Sequence, residues 1–319
     1  MEFGIRLPSN KPLDIVGFGL NAVDHLAITP VYPPLGSKVL LSDHRLSVGG
    51  QVATAMVALS RLGFKTSYAG KVGAEPSGDM QIDSLVAEGV DCAHVIKVDG
   101  ATTQLGLIVI DQVSGERTIF WYRDPRLTVN PNELNQDHIT SGRLLHLDGC
   151  DTEGAICAAQ WAKQAGVPVV IDLDTPYPGV ERLLPLIDFL VASSEFPEAM
   201  TGINDRQTAL KTLKERYDIP FVTMTLGGEG ALAFHKGEFI HSPAFTNFGV
   251  KDTTGAGDAF HGGFDYGLLQ GYSVEETLQI ANLIAALNCA KVGARGGLPN
   301  SDELSRACGE LKIYIGTQR

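Results

Sequence analysis

Asp252-Thr253-Thr254-Gly255-Ala256-Gly257-Asp258-Ala259-Phe260, followed by Gly262-Gly263-Phe264, opens a helical pattern that runs to Gln270. Small residues occupy the helix start, where the first backbone N–H groups have no partner inside the helix and point outward. The helix dipole adds partial positive charge. Without bulky side chains a polyphosphate can reach this backbone, so Gly255, Ala256 and Gly257 read as an anion hole. Asp258 is out of place in a site that only binds anions, because its carboxylate repels phosphate. It makes sense there if it accepts the proton of an attacking hydroxyl during phosphoryl transfer. The plainer alternative, an acidic first-turn residue stabilising a helix, ranks below this inside so glycine-rich a frame.

Working outward, short runs rich in Val, Ile and Leu alternate with helical patterns. The runs are Leu13–Gly19, Thr66–Gly70, Leu144–Asp148, Val167–Asp172, Phe189–Ala192 and Phe221–Leu226. They are apolar on both faces, as parallel strands covered by helices are. Helices are predicted over Gln51–Leu62, Ser77–Glu88, Glu153–Gln164, Asp205–Tyr217, Thr254–Gln270, Ser273–Lys291 and Asp302–Lys312. The alternation predicts an α/β fold with a doubly wound, mostly parallel sheet flanked by helices.

Two stretches break the pattern. Thr29–Ser47 carries Pro30, Pro33, Pro34 and Gly36 ahead of a strand-like Lys38–Leu41. Within Thr102–Arg123, Gln104–Ile110 and Arg117–Tyr122 flank a turn and read as an antiparallel hairpin. Such a hairpin cannot be a crossover of the parallel sheet, so it is expected to form a small β lid. With no linker and no repeat, residues 1–319 are expected to be one domain with lid segments near 24–47 and 100–125.

Composition narrows the function. The chain has 319 residues, 44% apolar and 19% charged, and a net charge of −12. This is globular composition, and the acidic balance argues against nucleic acid or an anionic membrane surface as partner. No apolar run approaches the roughly 20 residues of a membrane span. Five scattered cysteines, never spaced C-x-x-C, fit reduced thiols in a cytoplasmic protein.

Gly17-Phe18-Gly19-Leu20-Asn21-Ala22 matches a dinucleotide fingerprint, and Asp43 follows near the expected distance. A dinucleotide-binding unit needs a full helix next, and Pro30, Pro33 and Pro34 interrupt it. A dinucleotide-dependent oxidoreductase therefore stands as the rival of a different class.

Residues 252–264 resemble the C-terminal signature of the ribokinase-like (PfkB) carbohydrate kinases. Gly49-Gly50-Gln51-Val52-Ala53-Thr54-Ala55, continuing to Leu62-Gly63, resembles their N-terminal signature. The resemblance implies a core α/β sheet with a β lid, ATP as donor, Mg²⁺, and phosphorylation of a sugar or nucleoside hydroxyl. It implies Asp258 as base, Gly255, Ala256 and Gly257 as anion hole, and Asp24, Gly49, Gly50, Gln51 and Thr54 at the sugar. It places Thr225, Gly227, Gly230 and Asn282 on the nucleotide side. Asp252 and Thr254, with the Gly293–Gly297 loop, match where some members hold a monovalent cation such as K⁺. The chain departs from the family in two places. Thr54 stands where many members have Asn, and Glu195 replaces the Asn of an N-x-x-E motif whose Glu198, a candidate for organising Mg²⁺, is kept.

Trp121, Tyr122, Arg123 and Arg126 end the hairpin and resemble the Tyr/Arg run of 2-keto-3-deoxygluconate kinases. Arg123 would suit an acidic substrate group, and a salt-bridged lid edge is an equal alternative. The expected activity is transfer of the γ-phosphoryl group of ATP to a small carbohydrate, a sugar acid or ketose among the candidates. A nucleoside kinase is the nearest alternative. A homodimer formed through the lid is expected, since a hairpin edge invites pairing.

Overall fold

The computed structural model describes residues 1–313, and the end of the expected domain, residues 314–319, lies outside the described residues. The strands are β1 Leu13–Phe18, β2 Ala22–Thr29, β3 Asp43–Gly49, β4 Thr66–Gly73, β5 Asp91–Val98, β6 Leu105–Asp111 and β7 Arg117–Tyr122, then β8 Gly142–Leu147, β9 Val169–Leu173, β10 Phe189–Ala192, β11 Phe221–Thr225, β12 Ala231–His235 and β13 Glu238–Ser242. The helices are α1 Gln51–Arg61, α2 Pro76–Ala87, α3 Gln136–Ile139, α4 Thr152–Gln164, α5 Val180–Leu183, α6 Phe196–Thr201, α7 Arg206–Tyr217, α8 Ala256–Gln270, α9 Val274–Cys289 and α10 Ser301–Leu311.

A nine-stranded sheet runs in the order β13-β12-β11-β10-β9-β8-β1-β4-β5. All neighbours from β11 to β5 are parallel, and β12 and β13 add an antiparallel edge. Two apolar clusters cover its faces. One joins α1, α8, α9 and α10 to Phe189 and Phe221, and the other joins α4 and α7 to Val16, Leu145 and Ile171. The strands are apolar on both sides because both sides are covered.

The second sheet has four strands in the order β3-β2-β6-β7. The hairpin of the sequence reading is its β6–β7 pair, antiparallel with Ile108 opposite Ile119. Lys38–Leu41 is not a strand. Leu40 there is 89% exposed, so it has no apolar face to bury, and pairing begins only where the Ser42 amide donates to Ile28 O.

The glycines of the fingerprint-like Gly17–Ala22 serve packing. A Cβ at Gly17 would lie 2.6 Å from Val52 Cγ1 of α1, and one at Gly19 would lie 2.4 Å from Asp148 Oδ2. The chain then enters β2 directly, with no helix after the glycines. The context that a dinucleotide site requires is missing.

Candidate active site

The C-terminal ends of the parallel strands, the start of α8 and the inner face of the small sheet enclose a cavity of about 790 Å³. Asp24, Gly50, Gln51, Gln104, Gly106 and Trp121 line one end. Thr225, Gly227, Gly230, Phe245, Asn282 and Ala285 line the other. Thr254, Gly255, Ala256, Gly257 and Asp258 lie on its wall together with Asp172, Asp174 and His261.

The start of α8 is held open by design of its neighbours. Gly255 caps the helix at φ 72°, a conformation glycine adopts without penalty. Ala256 N–H donates to Thr253 O and Ala259 N–H to Gly255 O, whereas Gly257 N–H and Asp258 N–H have no hydrogen-bond partner among the described residues. A Cβ at Gly257 would meet open space, so an anion can approach there.

Burial pushes the Asp258 carboxyl up to about 7. Asp172 raises it further, while His261 and Arg117 pull it back. His261, one turn along α8, pairs through Nε2 with Asp172 Oδ1 at 3.0 Å. Beneath them, His146 Nδ1 and Asp265 Oδ2 stand 2.7 Å apart with no exposure.

Asp24 sits on β2 with 5% of its surface exposed, and its carboxylate has no hydrogen-bond partner among the described residues. Burial raises its carboxyl to about 6, against the pull of Arg295. Gly49 and Gly106 make room for it, since a Cβ at either would come within 2.3 Å and 2.6 Å of its oxygens. Arg295 is buried beneath the glycine pair and donates to Gly49 O at 2.8 Å and Thr54 Oγ1 at 3.3 Å. Thr54 is thus a partner of Arg295, fully buried and away from the cavity wall.

Several expected residues have other duties. The Arg123 guanidinium donates to both Asp151 carboxylate oxygens, at 2.9 and 2.8 Å, and to Leu127 O and Gln104 Oε1. It stands behind Gln104 and is not on the cavity wall. Arg126 is paired with Asp124 at the surface. The Asn282 amide nitrogen donates to Ser242 O and Oγ, both at 3.0 Å, which fixes the chain entering residues 243–250. Asp252 accepts from Thr254 N at 2.8 Å and Gly293 N at 2.7 Å, clamping the segment that leads into α8 to the 293–297 loop. Glu198 is exposed, holds Asn204 and does not line the cavity. No group of three or more His, Cys, Asp or Glu among the described residues could hold a metal ion.

The sequence reading did not single out Arg117 and Tyr177, which line the cavity, nor Arg295 and the His261–Asp172 pair. A signal existed for Arg295 in its glycine-flanked position, Gly293-Ala294-Arg295-Gly296-Gly297. None existed for His261–Asp172, because only the fold brings β9 against α8.

The family model for pfkB family carbohydrate kinases matches residues 19–301. A ribokinase from Haemophilus influenzae is 29% identical over 303 residues, 92% of this chain and 97% of its own. A 5-dehydro-2-deoxygluconokinase from Geobacillus thermodenitrificans is 27% identical, covering 95% of each chain. An Agrobacterium tumefaciens protein provisionally assigned as a ribokinase superposes with a TM-score of 0.87 at 26% identity, over 95% of this chain and 99% of that one. Family match and fold agree with the glycine-rich helix start and its flanking Asp258: the chain belongs to the pfkB family of carbohydrate kinases.

Proposed function

We propose that this protein transfers the γ-phosphoryl group of ATP to a hydroxyl of a small carbohydrate, with residues 1–319 acting as one kinase unit and the four-stranded sheet as its lid. The observation that carries the reading is a single cavity shared by Asp24, the free amides of α8 and Asp258. Asp24 and Gln51 receive the sugar hydroxyls, and Gly49 and Gly50, fastened by Arg295, shape that end. The amides around Gly257 take the transferred group, and Thr225, Gly227, Gly230 and Asn282 frame the nucleoside end. Asp258 accepts the proton of the attacking hydroxyl as the oxygen–phosphorus bond forms. Trp121 and Ile119 of the lid keep out water, the competing acceptor.

Mg²⁺ fits this wall only loosely: Asp172 and Asp174 would reach it through water while ATP supplies the remaining oxygens. Bound there, it would neutralise charge on the phosphates. A monovalent cation such as K⁺ suits the buried Thr254 Oγ1, which has no hydrogen-bond partner among the described residues.

Unpaired Asp24 and the committed charge of Arg123 favour a neutral sugar as acceptor. The relative named as a 5-dehydro-2-deoxygluconokinase, and the position of Arg123 one residue behind Gln104, support a sugar acid as the second reading. A cross-strand row on the lid's outer face, Leu46, His25, Leu107 and Phe120 in register, is exposed. A row of that kind favours a homodimer through the lid. Five free cysteines favour the cytoplasm. Among the described residues, no helix is long and apolar enough to cross a membrane.

The test is an ADP-release screen over neutral sugars, sugar acids, sugar phosphates and nucleosides. Turnover with a neutral sugar or sugar acid supports the proposal. Turnover only with nucleosides replaces it with the nucleoside kinase reading.

A further inference from the structure

Gln104 stands just ahead of β6, lines the cavity and is 7% exposed. Its side-chain oxygen is committed: Oε1 accepts from Arg123 Nη1 at 3.2 Å. Arg123 is itself fixed by both Asp151 carboxylate oxygens and by Leu127 O. A guanidinium has donors and no acceptor. The amide therefore cannot turn over without setting two donors against each other, and its nitrogen is directed away from Arg123. Nε2 has no hydrogen-bond partner among the described residues, yet it is not closed off. What Gln104 offers the cavity is a donor.

Its surroundings narrow what that donor meets. The Val23 amide donates to Gln104 O at 2.9 Å, which extends the β2–β6 ladder to this residue. Gln104, Gly106 and Ile108 share a strand face, and all three line the cavity. Asp24 of β2 and Trp121 of β7 stand opposite Gly106 on its two sides. Gly106, without a side chain, leaves a hollow between them, and a Cβ there would lie 2.6 Å from Asp24 Oδ1. The hollow thus has an indole on one side and a carboxylate on the other. The Gln104 amide stands about 6.6 Å along, two residues of strand. An ionised Asp24 can only accept, so it takes a hydroxyl hydrogen; Nε2 can only donate, so it takes an oxygen lone pair. An anionic oxygen would share this face with Asp24 and be repelled, and the charge of Arg123 is already balanced by Asp151.

Resting on the kinase reading, we propose that Gln104, oriented by Arg123, selects the acceptor: Nε2 donates to a neutral oxygen that carries no hydrogen, the carbonyl or ring oxygen of a reducing sugar, while Asp24 receives a hydroxyl of the same molecule. Arg123 is then a positioning residue that acts through Gln104. A reducing sugar is preferred to its alditol, because reduction turns the carbonyl, and the ring oxygen formed from it, into hydroxyl groups.

The experiment measures kcat, ATP KM and acceptor KM of the wild type, Gln104→Glu and Gln104→Met with the best neutral reducing sugar, and the KM or inhibition constant of its alditol. Glutamate keeps the size and the bond to Arg123 but offers only acceptors, whereas methionine keeps the length and offers no N–H or O–H donor. The wild type is expected to prefer the sugar to the alditol by about tenfold or more. Both variants are expected to raise the sugar KM by about tenfold, with ATP KM within about threefold of wild type. Gln104→Glu is expected to erase the preference, since an alditol hydroxyl can donate to the new carboxylate. A packing role would move sugar and alditol together. A wild type that binds the two within about threefold of each other, a sugar KM unmoved in either variant, or a sugar-to-alditol ratio unchanged in Gln104→Glu overturns the inference. Wild-type turnover confined to sugar acids overturns it alone and leaves the kinase reading standing. Wild-type protein that releases no ADP with any acceptor overturns the kinase reading and this inference together.

Discussion

Gly255 packs directly onto Ala294: a Cβ at Gly255 would stand 2.5 Å from the Ala294 carbonyl oxygen and 2.7 Å from its Cα. The start of α8 and the 293–297 loop therefore meet backbone to backbone. Asp252 bonding Gly293 N, and Asn288 bonding Ala294 O, close the joint. Gly255→Ala faces both this clash and a φ of 72°, which alone costs about 1–3 kcal/mol. The variant is expected to melt several degrees lower and to bind ATP at least about tenfold more weakly, a factor worth 1.4 kcal/mol. Thermal unfolding and calorimetry with ATP check this.

Asp24 offers the cavity a buried carboxylate with no hydrogen-bond partner among the described residues, set against the acceptor in the proposed function. Hydrogen bonds to a charged group contribute about 1.5–3 kcal/mol. Asp24→Asn is expected to raise acceptor KM by about 10- to 100-fold and to leave ATP KM nearly unchanged. Steady-state kinetics with each substrate varied in turn measures both.

Arg123 is tied to Asp151 in a nearly buried pair, with side-chain exposures of 11% and 5%. Removing one partner of such a pair costs about 3–5 kcal/mol, because the other charge is stranded. Arg123→Ala is expected to lose stability on that scale in chemical denaturation. Its acceptor KM should change equally for acidic and neutral sugars, and a selective rise for sugar acids would support the second reading of the substrate.

The Asp258 carboxyl, pushed up to about 7 mainly by burial, must be ionised to accept a proton. The rate therefore rises with pH: kcat/KM should climb about tenfold per pH unit below the pKa and level off above it. The same shift carries the opposite sign for stability. A carboxyl raised above its unfolded value stabilises the ligand-free fold below the unfolded pKa, and that contribution is lost as pH rises towards 7. Asp24, raised to about 6, acts in the same direction. Asp258→Asn should flatten this fall in a series of melting curves.

Most of the fold was readable because its strands announce themselves as short apolar runs and its helices by spacing. Leu13–Phe18, Phe189–Ala192 and α8 lie within a residue or two of their expected limits. The small sheet was harder. β3, Asp43–Gly49, mixes charged and apolar residues and pairs with β2 through contacts remote from its own sequence pattern. The glycine-rich helix start and Asp258, which the structure places together on the cavity wall, were legible because they are consecutive residues. Arg117, Arg295 and His261–Asp172 were not, because each gains its meaning from a partner far along the chain: Thr253, Gly49 and β9.

The most direct test of the account compares Asp258→Asn with the wild type for ADP release at saturating ATP and acceptor, alongside ATP affinity. The expected result is a loss of about 10³-fold in turnover with the fold and ATP binding intact. Turnover at the wild-type rate with any good acceptor would contradict the assignment of Asp258 as the base.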